Sequence, residues 1–202
     1  MFNENTAGLR ALGASLTGSI FARRTAAAPG GLPALERAAI DASTIPARVV
    51  TIEATGVSAV VLQLAQNGNV TVFATGDGLQ FALRDGVLVS TRGLGVDLMS
   101  AAAPTAATLR RADGTHARSY FTLTGTDATR RLDLTCTLAP EGRATLAIYG
   151  LSVPTEVVVE RCAGAGLGFE NRYWFDAGGR IRQSRQWVND AVGTIGLLDP
   201  MR

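Results

Sequence analysis

The sequence lacks most of the residues from which metal centres and nucleic-acid-binding surfaces are built. It contains one histidine and two cysteines among 202 residues, and its formal net charge is only +2. A structural zinc ion needs four nitrogen or sulfur ligands, and one histidine with two cysteines is too few. Nucleic-acid binding calls for a basic patch, and the small charge excess provides none. We therefore expect no metal, no cofactor and no nucleic-acid partner.

Lysine is absent, and all nineteen basic residues are arginine. Forked guanidinium groups are suited to phosphate or carboxylate recognition. The arginines are scattered along the chain, whereas a binding patch would cluster them. Alanine and glycine are also abundant, so we prefer a compositional bias as the interpretation.

Long apolar runs are also missing. No run reaches the roughly 20 residues that a membrane-spanning helix needs, and the start, MFNENTAGLR, has no basic or apolar region of a signal peptide. Because 47% of the residues are hydrophobic, a chain of 202 residues can still bury a sizeable core. We expect a single β-rich domain over residues 46–202.

Residues 1–45 differ in character and predict an N-terminal helical arm or spacer. Leu9, Leu12, Leu16 and Ile20 recur at helical spacing and predict an amphipathic helix over residues 6–28. A second short helix is predicted over residues 33–42, because proline suits the first turn of a helix. Whether the arm packs on the domain or acts as a spacer stays open.

After Pro46 the chain consists of short apolar or β-branched runs separated by turn dipeptides. Asp85-Gly86 predicts a type I′ hairpin turn, because glycine adopts positive φ without strain. This spacing is typical of an antiparallel β-sandwich or an open barrel. The predicted strands are 47–55, 57–65, 70–75, 79–83, 87–91, 106–111, 117–124, 129–138, 144–149, 155–161, 169–176, 180–188 and a short one near 194. A turn is predicted at Glu141-Gly142, and a helix over residues 97–103 with Asp97 as its cap.

Two motifs, RDGVLVSTRGLGVDLMS and ENRYWFDAGGRIRQSRQWV, resemble the YjbF/GfcB family of group 4 capsule and exopolysaccharide lipoproteins. The resemblance covers most of the chain after about residue 45. The matching residues are Thr91, Arg92, Gly93, Leu94, Gly95, Asp97 and Leu98 in the first motif, and Asn171, Tyr173, Trp174, Ser184, Arg185, Gln186 and Trp187 in the second.

The resemblance implies a non-catalytic periplasmic domain that acts in exopolysaccharide or capsule production or export. It also implies a lipid anchor at the N-terminus, outside the sequence given, that holds the domain at the outer membrane. The expected partners are outer-membrane export proteins, with the polysaccharide itself as a further partner to consider.

An exported chain with two cysteines is expected to form one disulfide, here between Cys136 and Cys162. The loop between them would contribute roughly 3 kcal/mol in the chain-entropy model. Two separate buried thiols are the alternative, because spacing alone does not show that the two residues come close enough.

Arg92 and Asp97 flank the glycine turn of the first motif. They could bind an acidic sugar or a carboxylate of a partner through paired N–H donors. The alternative is structural: Arg92 fixes the turn through carbonyl groups or Asp97, and Asp97 caps the following helix.

Trp174 and Trp187, with Arg185 and Gln186 nearby, would suit a saccharide, because sugar rings stack on aromatic faces and hydroxyls need polar partners. Core packing is the competing interpretation. A saccharide-binding module is therefore the first alternative function.

A polysaccharide-modifying enzyme is the second alternative, since glycoside hydrolysis needs two facing carboxylates. The available residues are Glu156, Glu160, Glu170 and Asp176, and no spacing among them is diagnostic. His116 is expected at an exposed hairpin tip, and no nucleophile-elbow motif accompanies it. A lipid carrier with an apolar cavity inside a half barrel is a third possibility.

Overall fold

The computed structural model describes residues 31–123 and 128–201, in which it has two helices and twelve strands. The predicted helix over residues 6–28 lies outside these ranges. The helices are α1 (Arg37–Ala42) and α2 (Ala106–Arg110). The strands are β1 (Ala47–Ile52), β2 (Val57–Asn67), β3 (Val70–Ala74), β4 (Gln80–Arg84), β5 (Val87–Arg92), β6 (Leu98–Ala102), β7 (Thr115–Leu123), β8 (Thr129–Ile148), β9 (Leu151–Gly164), β10 (Leu167–Phe175), β11 (Ile181–Asn189) and β12 (Gly193–Leu198).

The twelve strands described form one antiparallel sheet, in which every strand pairs with the next one along the chain except β5 with β6. The sheet continues from β1 to β12, which pair from Val49 with Leu198 to Ile52 with Ile195. The sheet order is therefore β5-β4-β3-β2-β1-β12-β11-β10-β9-β8-β7-β6, and β5 lies close to β6. The result is a nearly closed barrel, which confirms the mainly β prediction and favours the barrel over the sandwich.

Because the strands alternate in direction, their turns collect at two ends of the barrel. At one end, called here the pocket end, lie α2 and the turns between β2 and β3, β4 and β5, β8 and β9, and β10 and β11. The other end, called here the clasp end, carries the turn between β5 and β6, among others. Asp85 and Gly86 have φ values of 50° and 89°, as the predicted type I′ turn requires.

Apolar side chains fill the barrel in two main clusters. The larger includes Phe73, Phe81 and Tyr120. In the second, Leu109 of α2 packs against Tyr173, Phe175 and other buried residues. Since these clusters and a buried ionic network occupy the interior, the packing does not favour the lipid-carrier possibility.

The disulfide is present between Cys136 of β8 and Cys162 of β9. The two residues are directly opposite in the ladder, with Cα atoms 4.0 Å apart, and both are buried. The expected pairing is confirmed.

Two of the predicted elements are wrong. Residues 97–103 contain strand β6, since Asp97 accepts hydrogen bonds from preceding amides and caps no helix. Residues 106–111 were predicted as a strand but contain α2. The cap of α2 is Thr105, whose side chain accepts a hydrogen bond from the Thr108 amide.

The predicted turn at Glu141-Gly142 is also wrong. β8 continues to Ile148, and the ladder with β9 shifts register between Pro140 and Gly142. Gly142 has a φ of 115°, which a β-bulge in a continuous strand accommodates.

The predicted N-terminal helical arm is not supported. Within residues 31–45, only Arg37–Ala42 form a helix. This described part packs on the barrel: Tyr149 donates a hydrogen bond to the Pro33 carbonyl (3.0 Å), and Arg37 donates one to the Pro200 carbonyl (2.9 Å). No helix in the described ranges is long and apolar enough to cross a membrane.

Candidate functional site

The first motif lies at the seam between β5 and β6, where the described strands form no hydrogen-bonded ladder. Thr91 accepts a hydrogen bond from the Leu98 amide (2.9 Å) and donates one to Asp97 (3.0 Å). Asp97 in turn accepts hydrogen bonds from the amides of Gly93 (2.8 Å) and Leu94 (3.1 Å). Side chains therefore join β5 to β6 in place of a ladder.

Arg92 adds a second set of bonds across the same seam. Its guanidinium donates to the carbonyls of Thr91 (2.6 Å), Leu98 (3.2 Å) and Met99 (3.3 Å). We call Thr91, Arg92, Asp97 and Leu98 the seam clasp. These contacts agree with the structural interpretation, in which Arg92 fixes the turn through carbonyl groups. Ligand binding by Arg92 and Asp97 stays a prediction.

Gly93, in the turn between β5 and β6, meets two constraints that disfavour a side chain. Its φ is 89°, and a Cβ atom there would lie 3.0 Å from the Leu79 side chain. The tight turn thus explains why the motif has glycine at position 93.

The second motif contributes to a polar network inside the barrel, centred on Glu160 of β9. The Glu160 carboxylate is fully buried and accepts hydrogen bonds from Arg118 (2.6 and 2.8 Å) and His116 (2.8 Å) of β7. From β10 it accepts hydrogen bonds from Asn171 (2.7 Å) and Tyr173 (2.9 Å). Both carboxylate oxygens are thus satisfied by side chains from two other strands.

The network keeps Glu160 ionised. Burial opposes the negative charge, but the Arg118 charge and the hydrogen bonds from His116, Asn171 and Arg118 outweigh it and lower the pKa of Glu160 to about 2. Burial and the nearby Glu160 charge raise the pKa of Tyr173 well above its usual value, so its hydroxyl stays a donor. With an ionised, inaccessible carboxylate and a neutral tyrosine, this network is suited to structure and poorly suited to proton transfer with a substrate.

His116 is not at an exposed hairpin tip, as the sequence suggested. It lies in β7 opposite Cys136, and its side chain is 14% exposed. Ligand atoms of His116, Cys136 and Glu160 all lie within 4.8 Å of one another. The sulfur of Cys136 belongs to the disulfide, and Glu160 is saturated by hydrogen bonds, so this group is unsuited to a metal ion.

Gln186 was predicted as a saccharide-binding residue, but its side chain is fully buried. Its amide accepts a hydrogen bond from the Leu88 amide (2.9 Å) and donates to the Gly86 carbonyl (3.0 Å) and Ser184 (2.9 Å). It therefore links β11 to β5 across the barrel, and saccharide binding by Gln186 stays a prediction.

Trp187 packs against the larger core cluster. Its ring stacks on Phe169, with centroids 4.4 Å apart, and meets the Tyr120 ring edge-on. The Trp187 amide also donates to the Asn171 side chain (2.7 Å). These contacts are those expected for core packing of this tryptophan.

Trp174 and Arg185 lie on the outer face of the sheet, away from Trp187. Trp174 is half-buried, and the exposed Arg185 forms two hydrogen bonds of 2.6 Å with Glu53. The six predicted binding residues are therefore distributed over three places: the seam, the interior and the outer face.

The four carboxylates considered for glycoside chemistry each have a cationic neighbour. Glu160 pairs with Arg118 inside the barrel. Outside it, Glu156 lies 4.0 Å from Arg143, Glu170 lies 2.8 Å from Arg172 and Asp176 lies 3.6 Å from Arg182.

Arg118 and Glu160 were not among the residues predicted to form a buried pair. A signal was available in β9, where strand alternation places Glu160 on the same face as Val158 and Cys162. An ionisable residue in such a row must find a partner when it is buried.

Comparisons with known proteins agree with the motif likeness. A family model described as group 4 capsule polysaccharide lipoprotein gfcB, YjbF, matches residues 16–197. Among solved structures, the hypothetical lipoprotein YmcC from Escherichia coli (K12) has a TM-score of 0.78 at 20% identity, over 95% of this chain and 94% of that one. At that identity the likeness shows a shared fold. No curated protein matches the chain.

Proposed function

Because the chain belongs to the YjbF family of group 4 capsule polysaccharide lipoproteins, we propose that it is a non-catalytic periplasmic domain that acts in capsule or exopolysaccharide export. In this proposal an N-terminal lipid holds it at the outer membrane. Its partners are outer-membrane export proteins, which it contacts through the clasp end of the barrel.

The observation that carries the proposal is the use of the motif residues inside the molecule. Arg92 and Asp97 hold the seam, Asn171 and Tyr173 hold Glu160, and Gln186 holds β5. The motif residues thus hold the barrel and one of its turns together, and this structural use suits an assembly component better than an enzyme.

Exposed apolar residues support the clasp end as the contact surface. The exposed large hydrophobic residues in the described ranges are Leu32, Val57, Val96 and Leu123. Val57 begins β2, Val96 lies in the turn between β5 and β6, and Leu123 ends β7. Three of the four are therefore at the clasp end. A partner with an apolar contact surface would cover them.

A site-specific crosslink tests this proposal in producer cells. A photoreactive amino acid replaces Val96 in the lipid-anchored protein, and the matched control carries it at Thr145, an exposed residue near the pocket end. We expect position 96, and not position 145, to crosslink to an outer-membrane polysaccharide export protein.

A charge substitution provides the functional readout. Val96→Asp should reduce the amount of exported polysaccharide, whereas Thr145→Asp should leave it unchanged. Normal export by Val96→Asp, with no crosslink from position 96, would contradict the proposed contact surface. Shortening or chemical change of the polymer by the purified protein would instead support the enzyme alternative.

A further inference from the structure

Strand β2 has an edge at the clasp end with which its neighbour β3 does not pair. The ladder of β2 with β1 includes all of residues 57–62. Its ladder with β3 begins only at Leu62, which lies opposite Ala74. Among the residues that the structure describes, residues 57–61 therefore have a strand partner on one side and none on the other.

The ladder stops at Ala74 because the turn between β3 and β4 bonds to itself. The Thr75 amide donates to the Leu79 carbonyl (2.9 Å), and the Gly78 amide donates to the Thr75 carbonyl (3.2 Å). The Thr75 hydroxyl accepts a further hydrogen bond from the Leu79 amide (2.9 Å). The chain after Ala74 thus curls into a turn and does not continue along β2.

Strand alternation shows which backbone groups of this edge lack a partner. The Gln63 amide donates to the carbonyl of Pro46, the residue before β1 (2.8 Å). The odd-numbered residues of the segment therefore direct their backbone groups towards β1, and Ser58 and Val60 direct theirs to the opposite side. Within residues 31–123 and 128–201, no hydrogen bond is formed to the N–H or C=O of Ser58 or Val60. The edge thus presents two donors and two acceptors.

The segment has none of the side chains with which proteins usually protect an open edge. Its sequence is VSAVV, without a charged residue or a proline. The seam is different, because there the Thr91 side chain caps the Leu98 amide. Val57, which begins the segment, is 61% exposed and is one of the apolar residues of the clasp end. An unprotected apolar edge of this kind can accept a strand from another chain.

We propose that an extended segment of the outer-membrane export protein adds to β2 as a further strand along residues 57–61. The inference rests on the proposed function, since the partner is the protein that contacts the clasp end, and it adds the mode of recognition. Ser58 and Val60 would form about four backbone hydrogen bonds with the added strand. Because the edge is uncharged and rich in valine, the segment that fits it is uncharged and contains β-branched residues.

Hydrogen exchange in the free protein tests whether the edge is open. We expect the amides of Ser58 and Val60 to exchange at least about tenfold faster than those of Ala59 and Val61, which bond to β1. Slow exchange at all four positions would mean that the edge is already closed, and the proposal would be wrong.

A proline substitution tests the pairing in producer cells. Val60→Pro removes the outward N–H and leaves the bonds of the neighbouring residues to β1 in place. The readout is the yield of the crosslink from position 96 to the export protein. Val60→Pro should lower this yield by about tenfold relative to Val60→Ala, because it loses a hydrogen bond and places the proline ring on the edge. Val60→Ala is the matched control, since it shortens the side chain but keeps the N–H.

A second pair of variants, Ser58→Pro and Ser58→Ala, repeats the comparison if Val60→Pro does not fold, as checked by circular dichroism. Both lose the hydrogen bond between the Ser58 and Thr51 hydroxyls (2.7 Å), so the outward N–H distinguishes them. Equal crosslink yields from each proline variant and its alanine control would overturn strand addition.

The outcomes separate this inference from the proposed function. If position 96 crosslinks to the export protein equally well in the proline and alanine variants, strand addition is wrong and the export contact stands. If position 96 does not crosslink even in the parent protein, the proposed function is wrong, and this inference fails with it.

Discussion

Glu160 is the residue on which the polar contacts of the barrel interior converge. A buried carboxylate without partners would cost several kcal/mol, but here Arg118 and three further hydrogen-bonding side chains compensate for the lost hydration. Such a network specifies how β7, β9 and β10 pack. It also links the stability of the fold to pH.

We expect the protein to lose stability in acid as Glu160 becomes protonated. Its pKa falls from an ordinary 4.5 to about 2 in the folded state. A depressed pKa stabilises the fold above pH 4.5, and this contribution is lost as the pH falls from there towards 2. A shift of this size corresponds to about 3 kcal/mol in the free energy of unfolding. Urea unfolding at a series of pH values measures it.

The matched variants for this prediction are Glu160→Gln and Asp133→Asn. Glu160→Gln should cost about 3 to 5 kcal/mol at pH 7, because Arg118 keeps its charge without a carboxylate. It should also remove most of the acid dependence. Asp133 is an exposed carboxylate whose pKa is lowered by Ser119 and Arg131, so Asp133→Asn should change little. An unaltered acid dependence in Glu160→Gln would show that other groups cause it.

Gln186 gives a second prediction for a single residue. Gln186→Ala should lower the free energy of unfolding by about 1 to 3 kcal/mol, because it leaves the Leu88 amide and the Gly86 carbonyl without their partner. Gln183→Ala, on the outer face of the same strand, should have almost no effect. Urea unfolding of both variants checks this, and equal effects would mean that the cross-barrel link is unimportant.

Among the elements, β5 and β6 depend on the seam clasp for their contact. Thr91→Val keeps the shape of the side chain but removes the acceptor of the Leu98 amide and the donor to Asp97. Hydrogen exchange of the Leu98 amide should therefore accelerate by about tenfold.

Ser90→Ala is the control for this variant, because Ser90 precedes Thr91 in the same strand. The Leu98 amide should exchange in Ser90→Ala as it does in the parent protein. If Thr91→Val leaves the exchange of Leu98 unchanged, side-chain bonding does not hold the seam.

Most strands could be predicted because turn dipeptides separate them. Asp85-Gly86 determines one hairpin through positive φ, and local sequence contains that information. The errors came where a local signal has two interpretations. Asp97 could cap a helix formed by the residues that follow it. In the structure its carboxylate instead accepts hydrogen bonds from amides on its N-terminal side. Glu141-Gly142 reads as a turn, but the long ladder between β8 and β9 makes it a bulge.

The site could be predicted only in part, since its residues meet through the closure of the whole barrel. Arg118 and Glu160 are 42 positions apart, and Gln186 contacts Leu88 at a separation of 98. Neither pair could be inferred from the composition. A carboxylate or an amide side chain requires a specific partner only when it is buried, and composition does not show which residues are buried. The disulfide could be predicted, since the sequence contains only two cysteines.

At the scale of the whole molecule, the pairing of β1 with β12 joins the first strand to the last and makes one continuous sheet. Residues 46–202 were predicted to form a single domain, and a sheet without a break should unfold as one unit. Trp187 reports on the core, and Trp174 reports on the outer face. Each single-tryptophan variant, Trp174→Phe and Trp187→Phe, should therefore show the same urea midpoint by fluorescence as by far-ultraviolet circular dichroism. A fluorescence transition of Trp174 that precedes the loss of strand signal would mean that β10 belongs to a separate unit, and the single-domain prediction would then be wrong.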